Sequence, residues 1–541
     1  MKTAFRKLAA SFIFLFLMCL LLCGCGAKEP EGEVLWVVTE ASNSDGMNLQ
    51  AEIIAQRMEE KYDNLTVQLD ILPTDAKDRE VLLKQLRTQI MAGKGPDVYL
   101  LPTGSVLTTD FLTQAKTIRG TMRIPVEPLF LDVVQIMRDG YFLDIQSYYE
   151  NDQALNTGAF KKEIMDAGVL DGSRYVLPLR FDIPVVLANM DLLESAGLNQ
   201  ELLDSSAIDL TKAILSQENG AANSAGIQLP ANLNLLAHPV DHEKEDVLIT
   251  SQEIADYMRA YQDWKTVSPS AESYLVETWQ RIVTDRHSPA YLELCQVTGS
   301  SPHGIENIAD FNNIKDYSIN NVSWVTAGLP LYTCRLSDTL QTVGMIKTEE
   351  AVGHTVPEIR MFPLRSSGGV LSANIIYYGA VGSNCKAPKL AYEFLRQFLT
   401  EEFQWDIYRP RAKKNAASLE SPTEVQCWGQ VENSWPVRAK EAVPYLWDTV
   451  KYQTLNFLSS DSREGGKVSR YVQMIELTED DLPVLNWPID DVRFPITLKE
   501  EESIEYALSL LNEKDGKPTD ADIDALAEQV YQNLRYHLAE G

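Results

Sequence analysis

Residues 171 to 198, DGSRYVLPLRFDIPVVLANMDLLESAGL, constrain the fold more than any other stretch of the chain. Asp171-Gly172 is a turn dipeptide, Tyr175 to Leu179 is a short apolar run containing Pro178, and Val185 to Ala188 is a second apolar run. Asn189-Met190-Asp191 leads into a helix expected over Leu192 to Ala196 and closed by Gly197. Two strand-like pieces joined by a polar tetrad, Arg180-Phe181-Asp182-Ile183, read as a chain crossing between two bodies. Length agrees with this, because 541 residues exceed one ordinary domain and point to two or more lobes.

The chain carries a formal charge of −29, and its only charges before residue 25 are the cations Lys2, Arg6 and Lys7. So acidic a body lacks the cationic surface that nucleic acid requires, which excludes that partner. An anionic membrane surface would repel it too, and attachment needs an anchor. The N-terminus offers one. Lys2, Arg6 and Lys7 precede an almost wholly apolar stretch from Leu8 to Leu22, which is short for a membrane span. Leu22-Cys23-Gly24-Cys25 then resembles the lipobox of bacterial lipoproteins, with Cys23 unusual at its middle position. Cleavage would remove residues 1–24, leave Cys25 as the diacylated N-terminus and make residues 25–32 a tether; two acyl chains suffice for stable anchoring. Of seven cysteines, Cys295, Cys334, Cys385 and Cys427 then remain in the body. They lie far apart without CxxC or zinc spacing, so free thiols and any of three pairings stay open.

From Glu33 the pattern is regular. Glu33 to Thr39 is a buried strand; Leu49, Ile53, Ile54 and Met58 recur at helical spacing; Val67, Leu69 and Ile71 alternate. Leu82, Leu83, Leu86 and Ile90 form a second helix face, and Val98 to Leu101 a third strand. A β-α-β-α-β order predicts a parallel sheet with helices on its faces. Gly93 to Val98 (GKGPDV) makes the tight helix-to-strand turn, Asp97 caps backbone amides, and the loop after the strand, Pro102 to Ser105, is the ligand candidate, because open sheets bind ligands at the carboxyl ends of their strands. The chain ends in an amphipathic helix through Ile523, Leu526, Val530, Tyr531 and Leu534, with Thr519 as N-cap.

Several of these segments together resemble one family. They are GKGPDV at 93–98, GYFLDI at 140–145, the stretch from Asp171 to Leu198, Gly368 to Asn374, the helix Lys389 to Leu395 and Trp435-Pro436-Val437-Arg438. In this order they resemble the family 1 extracellular solute-binding proteins of bacterial ABC transporters, the maltose-binding class. No counterpart is evident for the polar region 198–320. The resemblance implies an α/β two-lobe periplasmic-binding-protein-like fold of type II, its lobes joined by strand crossovers near Pro178 to Ile183 and Pro363 to Ser372. It further implies lobes of 33–179 with 368–404 and of 180–367 with 405–541, and ligand capture by hinge closure and delivery to ABC permease subunits. The cleft residues would be Thr103 and Ser105 from the first lobe, Arg180 and Asp182 at the crossover, Asn374 at the return crossing, and Tyr332 (with Trp324 as its alternative) and Trp428 from the second lobe.

Catalytic and metal motifs are scarce. Six histidines are few for a hydrolase, and no GxSxG, P-loop or GxGxxG occurs. His238 and His242 have the spacing of a helical zinc pair, but Pro239 breaks such a helix, so 238–243 reads as an exposed acidic loop without metal or cofactor. Aromatic residues near expected strand ends, among them Tyr377, Tyr378, Trp428 and Trp435, would stack on sugar rings; Trp36, in mid-strand, reads as core. A cleft lined by such residues would suit an oligosaccharide, and a sugar or oligosaccharide is the ligand the resemblance implies, because many members of that family bind sugars. A peptide or polyamine on the same fold, or an exported lipoprotein glycosidase with paired carboxylates, are the alternatives.

Overall fold

The computed structural model describes residues 33–40, 47–73, 76–103, 106–110, 122–155, 157–193, 198–216, 240–242, 244, 246–263, 331–336, 339, 343, 346–347, 350, 357–366, 369–406, 435–437, 481, 483–513 and 518–540. Cys25, Ser105, His238, Trp324 and Trp428 lie outside these residues. Among them, no helix is long and apolar enough to cross a membrane.

The chain opens with β1 (Glu33–Glu40), α1 (Met47–Lys61), β2 (Leu65–Leu72), α2 (Ala76–Met91) and β3 (Val98–Pro102). β1 runs parallel to both β2 and β3, as the β-α-β-α-β pattern predicts. Gly93, at a φ of +67°, ends α2: its amide bonds to Ile90 O and the Lys94 amide reaches back to Gln89 O. That pair of bonds is a Schellman cap, which requires a left-handed residue there. Asp97 accepts the Trp36 amide at 2.9 Å and so ties the turn to β1.

After a short helix, α3 (Val133–Arg138), the chain enters β4 (Val176–Asp182) and β5 (Pro184–Asn189). The tetrad at 180–183 is therefore not a polar connector: β4 runs through to Asp182, all seven of its residues are buried, and Ile183 alone separates the two strands. Strand pairing on both edges satisfies the backbone, and side-chain partners satisfy Arg180 and Asp182, so the polar residues continue the strand. The helix after β5 is described over Met190–Leu193. Later come β6 (Leu331–Arg335), β7 (Ile359–Pro363), β8 (Ser372–Val381), α4 (Pro388–Gln397), α5 (Glu401–Asp406), β9 (Trp435–Pro436), β10 (Asp491–Arg493), α6 (Ile504–Glu513) and α7 (Asp520–Glu540).

The large sheet has the order β9-β4-β8-β3-β1-β2, with β10 also beside β8. β8 is antiparallel to β3 and β4 and parallel to β10. β5 is the centre of a second, antiparallel sheet, β6-β5-β7. There are two apolar cores. The first surrounds the large sheet; the second gathers residues of α6 and α7 with Leu193, Leu203, Val240 and Tyr257. Strand alternation lets β5 serve both, with Val185 and Leu187 in the first and Val186 and Ala188 in the second. Among the described residues, three of the passages between cores lead into or out of the large sheet: one after β4, one between Leu364 and Leu371, and one between Phe494 and Ile496; the chain also changes core between Leu331 and Leu336. The third passage differs from the expectation that 405–541 lies wholly in the second lobe, because β9 and β10 join the large sheet. Strands of two and three residues are too short to show an alternating pattern in the sequence.

Local chemistry holds the pieces in place. Gly379 lets α4 press on β8, since a Cβ there would sit 2.6 Å from Leu395 Cδ2. Thr519 caps α7 as expected, exchanging bonds with Asp522 in a reciprocal box. Cys385 forms no disulfide, and burial, reinforced by Asp97, pushes its thiol up to about 12. At the carboxyl end of β1, Glu40 and Arg79 form a buried bidentate pair at 2.5 and 2.8 Å, both side chains 2% exposed. Arg79 also donates to Glu127 O at 2.7 Å. Removing the guanidinium strands a buried carboxylate, so Arg79→Ala will destabilise the protein by about 3–5 kcal/mol in denaturant titration.

Candidate functional site

The three crossings meet at one place in the large sheet. β4 ends at Asp182, β8 begins at Ser372 and β10 ends at Arg493, and the register puts Asn374 opposite Asp182 on one edge and opposite Arg493 on the other. Residues directly opposite across neighbouring strands project to the same face. Asp182, Asn374 and Arg493 therefore form a polar row across three strands, each at the point where its strand leaves for or arrives from the second core.

Asp182 Oδ1 accepts the Leu336 amide at 3.0 Å, which fastens the chain just after β6 to the end of β4. Arg493 donates to Ser372 Oγ and stands 3.0 Å from Asp491 Oδ2. Burial pulls the Arg493 guanidinium below the usual arginine range, and Asp491 opposes that shift. Asn374 is half-buried, and its Oδ1 is a buried acceptor with no hydrogen-bond partner among the described residues. A carbonyl oxygen kept from water and left unbonded is costly, so it asks for a donor from elsewhere. One step back along β4, Arg180 is fully buried and donates to Gln404 O at 3.2 Å; Gln404 in turn donates to Leu179 O and Phe398 O, which locks α5 under β4. Arg180, Asp182, Asp491 and Arg493 put two cations and two carboxylates around the row. Beside it, Arg365 clamps the return crossing, bonding Asp204 at 2.9 Å and Asp490 at 3.4 Å.

Of the residues expected at the site, the structure brings Arg180, Asp182 and Asn374 together. Thr103 ends β3, where its amide bonds Ile376 O at 2.8 Å and its hydroxyl donates to Ile375 O, so it fastens β3 to β8. Tyr332 pairs by its backbone with Leu187 in the second sheet; its side chain, like Ser105 and Trp428, lies outside the described residues. Ser372, Asp491 and Arg493 were not foreseen. Asp490-Asp491 near an Arg-Phe-Pro sequence carries no motif, and only pairing with β8 gives these residues a place.

No family model matches the chain, and no curated protein sequence matches it. Among solved structures it is similar to an extracellular solute-binding protein family 1 member from Alicyclobacillus acidocaldarius, with 13% identity and a TM-score of 0.44 over 94% of this chain and 98% of that one. It is also similar to the sugar-binding protein MalE from Xanthomonas citri, with 12% identity and a TM-score of 0.47 over 93% and 98% of the two chains. A third is an ABC substrate-binding protein from Listeria monocytogenes in complex with cycloalternan, with 12% identity and a TM-score of 0.39 over 94% and 99%.

The Asp182 bond ties the chain after β6 to the large sheet at the first crossing. Asp182→Ala leaves the Leu336 amide buried without this acceptor and will cost about 1–3 kcal/mol in urea unfolding, whereas Asp182→Asn, which keeps an oxygen there, will cost less.

Proposed function

We propose that the chain is an extracytoplasmic solute-binding receptor, anchored to the membrane through a lipidated Cys25. It captures a neutral sugar or oligosaccharide between two lobes by hinge closure and hands it to the permease subunits of an ABC importer. The observation that carries this reading is the row at the meeting of the three crossings: an unbonded acceptor, Asn374 Oδ1, flanked by charged groups that already balance one another. A sugar hydroxyl supplies the missing donor without adding charge.

Asp182 and Arg180, with Thr103, Ser105, Tyr332 and Trp428, complete the proposed ligand set. Closure favours the bound state because the ligand contacts groups held by both lobes only when they are together. A polyamine fits less well, since it needs carboxylates in excess, and among the described residues of the row each carboxylate has its own donor or cation. The same commitment of Asp182 and Asp491 leaves neither free to act as a glycosidase acid.

A thermal-shift screen of the full chain against neutral oligosaccharides, peptides and polyamines tests the reading. A ligand that binds only the folded state stabilises it by about 2.7 kcal/mol at a hundredfold excess over its Kd. A saturable shift with one class of neutral sugar is the expected result; shifts with polyamines alone, or turnover of a glycoside, would replace it. Asn374→Ala will then weaken the sugar about tenfold, the loss of roughly one hydrogen bond, while the melting temperature of the free protein changes little.

A further inference from the structure

Away from the crossover row, a second polar cluster joins the two cores. Asp132 precedes α3, and its Oδ1 accepts the amides of Val134 and Gln135 at 3.0 and 3.1 Å, the ordinary work of an N-cap. Its other oxygen is not used this way. Asp132 Oδ2 lies 3.6 Å from His242 Nδ1 and 3.8 Å from His537 Nε2, and both Asp132 Oδ2 and His242 Nδ1 are buried without a hydrogen bond among the described residues. Asp132 is 6% exposed and the His242 side chain 9%, so residue 242 does not belong to the exposed acidic loop that the sequence suggests.

The three residues come from both bodies. Val133 and Met137 of α3 belong to the first core, whereas Val240, two residues before His242, and Leu534 and Leu538 around His537 belong to the second. The third crossing passes beside them, for the Thr497 amide bonds Leu131 O at 2.9 Å. Among the described residues no group of three ligating side chains is placed to hold a metal ion, so the quantity that can change here is the number of protons.

We propose that Asp132, His242 and His537 form a proton-operated latch beside the third crossing, one that holds the two cores together while His242 is neutral and releases as it takes up a proton. The charge count sets the direction. The charged groups around His242 are Asp132 and Arg138 of α3, Asp241 next to it in sequence, and His537 on α7; Asp139, at the end of α3, faces Asp132. Lys244 engages Asp241, and Arg138, His537 and burial together oppose a positive charge on His242. Burial, the largest cause, pulls His242 below its ordinary value of 6.5; Asp132 opposes this, and Arg138 and His537 add to it. A buried histidine that resists protonation binds its proton more readily once it meets water. Acid therefore favours the arrangement in which the cluster is open, and the contact weakens as pH falls below 6.5.

The latch is independent of any ligand, so its test uses the full chain alone. Small-angle X-ray scattering and thermal melting at about pH 7.5 and about pH 5.5 span the histidine range. The expected result is a reversible rise in the radius of gyration and a lower melting temperature in acid. His242→Gln will flatten both changes. Asp132→Asn, which keeps the capping oxygen but loses the countercharge, will move the release to higher pH. His537→Gln, on the far side of the carboxylate, will reduce the change, and it stands in for His242→Gln should circular dichroism find that variant unfolded. A radius of gyration that does not change with pH in the wild type, or a His242→Gln or His537→Gln protein that keeps the full wild-type response, would overturn the proposal.

Discussion

A strand that leaves one sheet and immediately starts another must take its polar groups through a dry junction. β4 and β5 meet this constraint at Ile183, and the rest of the architecture follows from how it is met. Asp182 accepts a hydrogen bond from the Leu336 amide, and Arg180 donates one to Gln404 O, so both are engaged as β4 is buried. A buried polar group without a partner costs about as much as several apolar contacts provide. The junction is thus fixed in position by hydrogen bonds and fixed in extent by the apolar residues of β5, which alternate between the two cores.

Once that first passage is fixed, the other two are drawn to it. β8 needs a partner on each edge, and β4 and β10 supply them at the end where the chain changes bodies. The result is a hinge of three chain segments lying side by side, with Asp182, Asn374 and Arg493 in a row across it. A small rotation of one body about these segments would bend only a few residues per segment, such as Ile183 and those between Phe494 and Ile496, while the hydrogen-bonded sheets on either side move as units. In the proposed receptor the row would serve as the platform for the ligand.

The Asp132 cluster lies beside the same hinge and differs from the row in kind. The row sets each carboxylate beside a donor or a cation, whereas the cluster sets two imidazole rings against one carboxylate oxygen. Capture of a neutral ligand and response to acid would then be separate properties of one hinge, placed at different residues.

Periodicity identified β1 to β3 with their helices and the final helix, a glycine and a threonine marked the turn at Gly93 and the cap at Thr519, and two apolar runs around a polar tetrad marked the crossing near residue 183. Each of these is written in neighbouring residues: alternation of period two, a 3.6-residue stripe, a glycine that tolerates a positive φ, a threonine three residues before an aspartate. Arg180, Asp182 and Asn374 could be placed near the junction because they lie in the two segments that resemble the family's crossovers. What the sequence could not contain was pairing between distant segments. Arg493 becomes a neighbour of Asn374 only because a three-residue strand adds to the edge of β8, and His242 and His537 reach Asp132 only because two cores pack beside the third crossing. Local sequence reports which face of an element is buried; which buried face meets which is decided by packing of the whole chain, and the tertiary structure alone records that outcome.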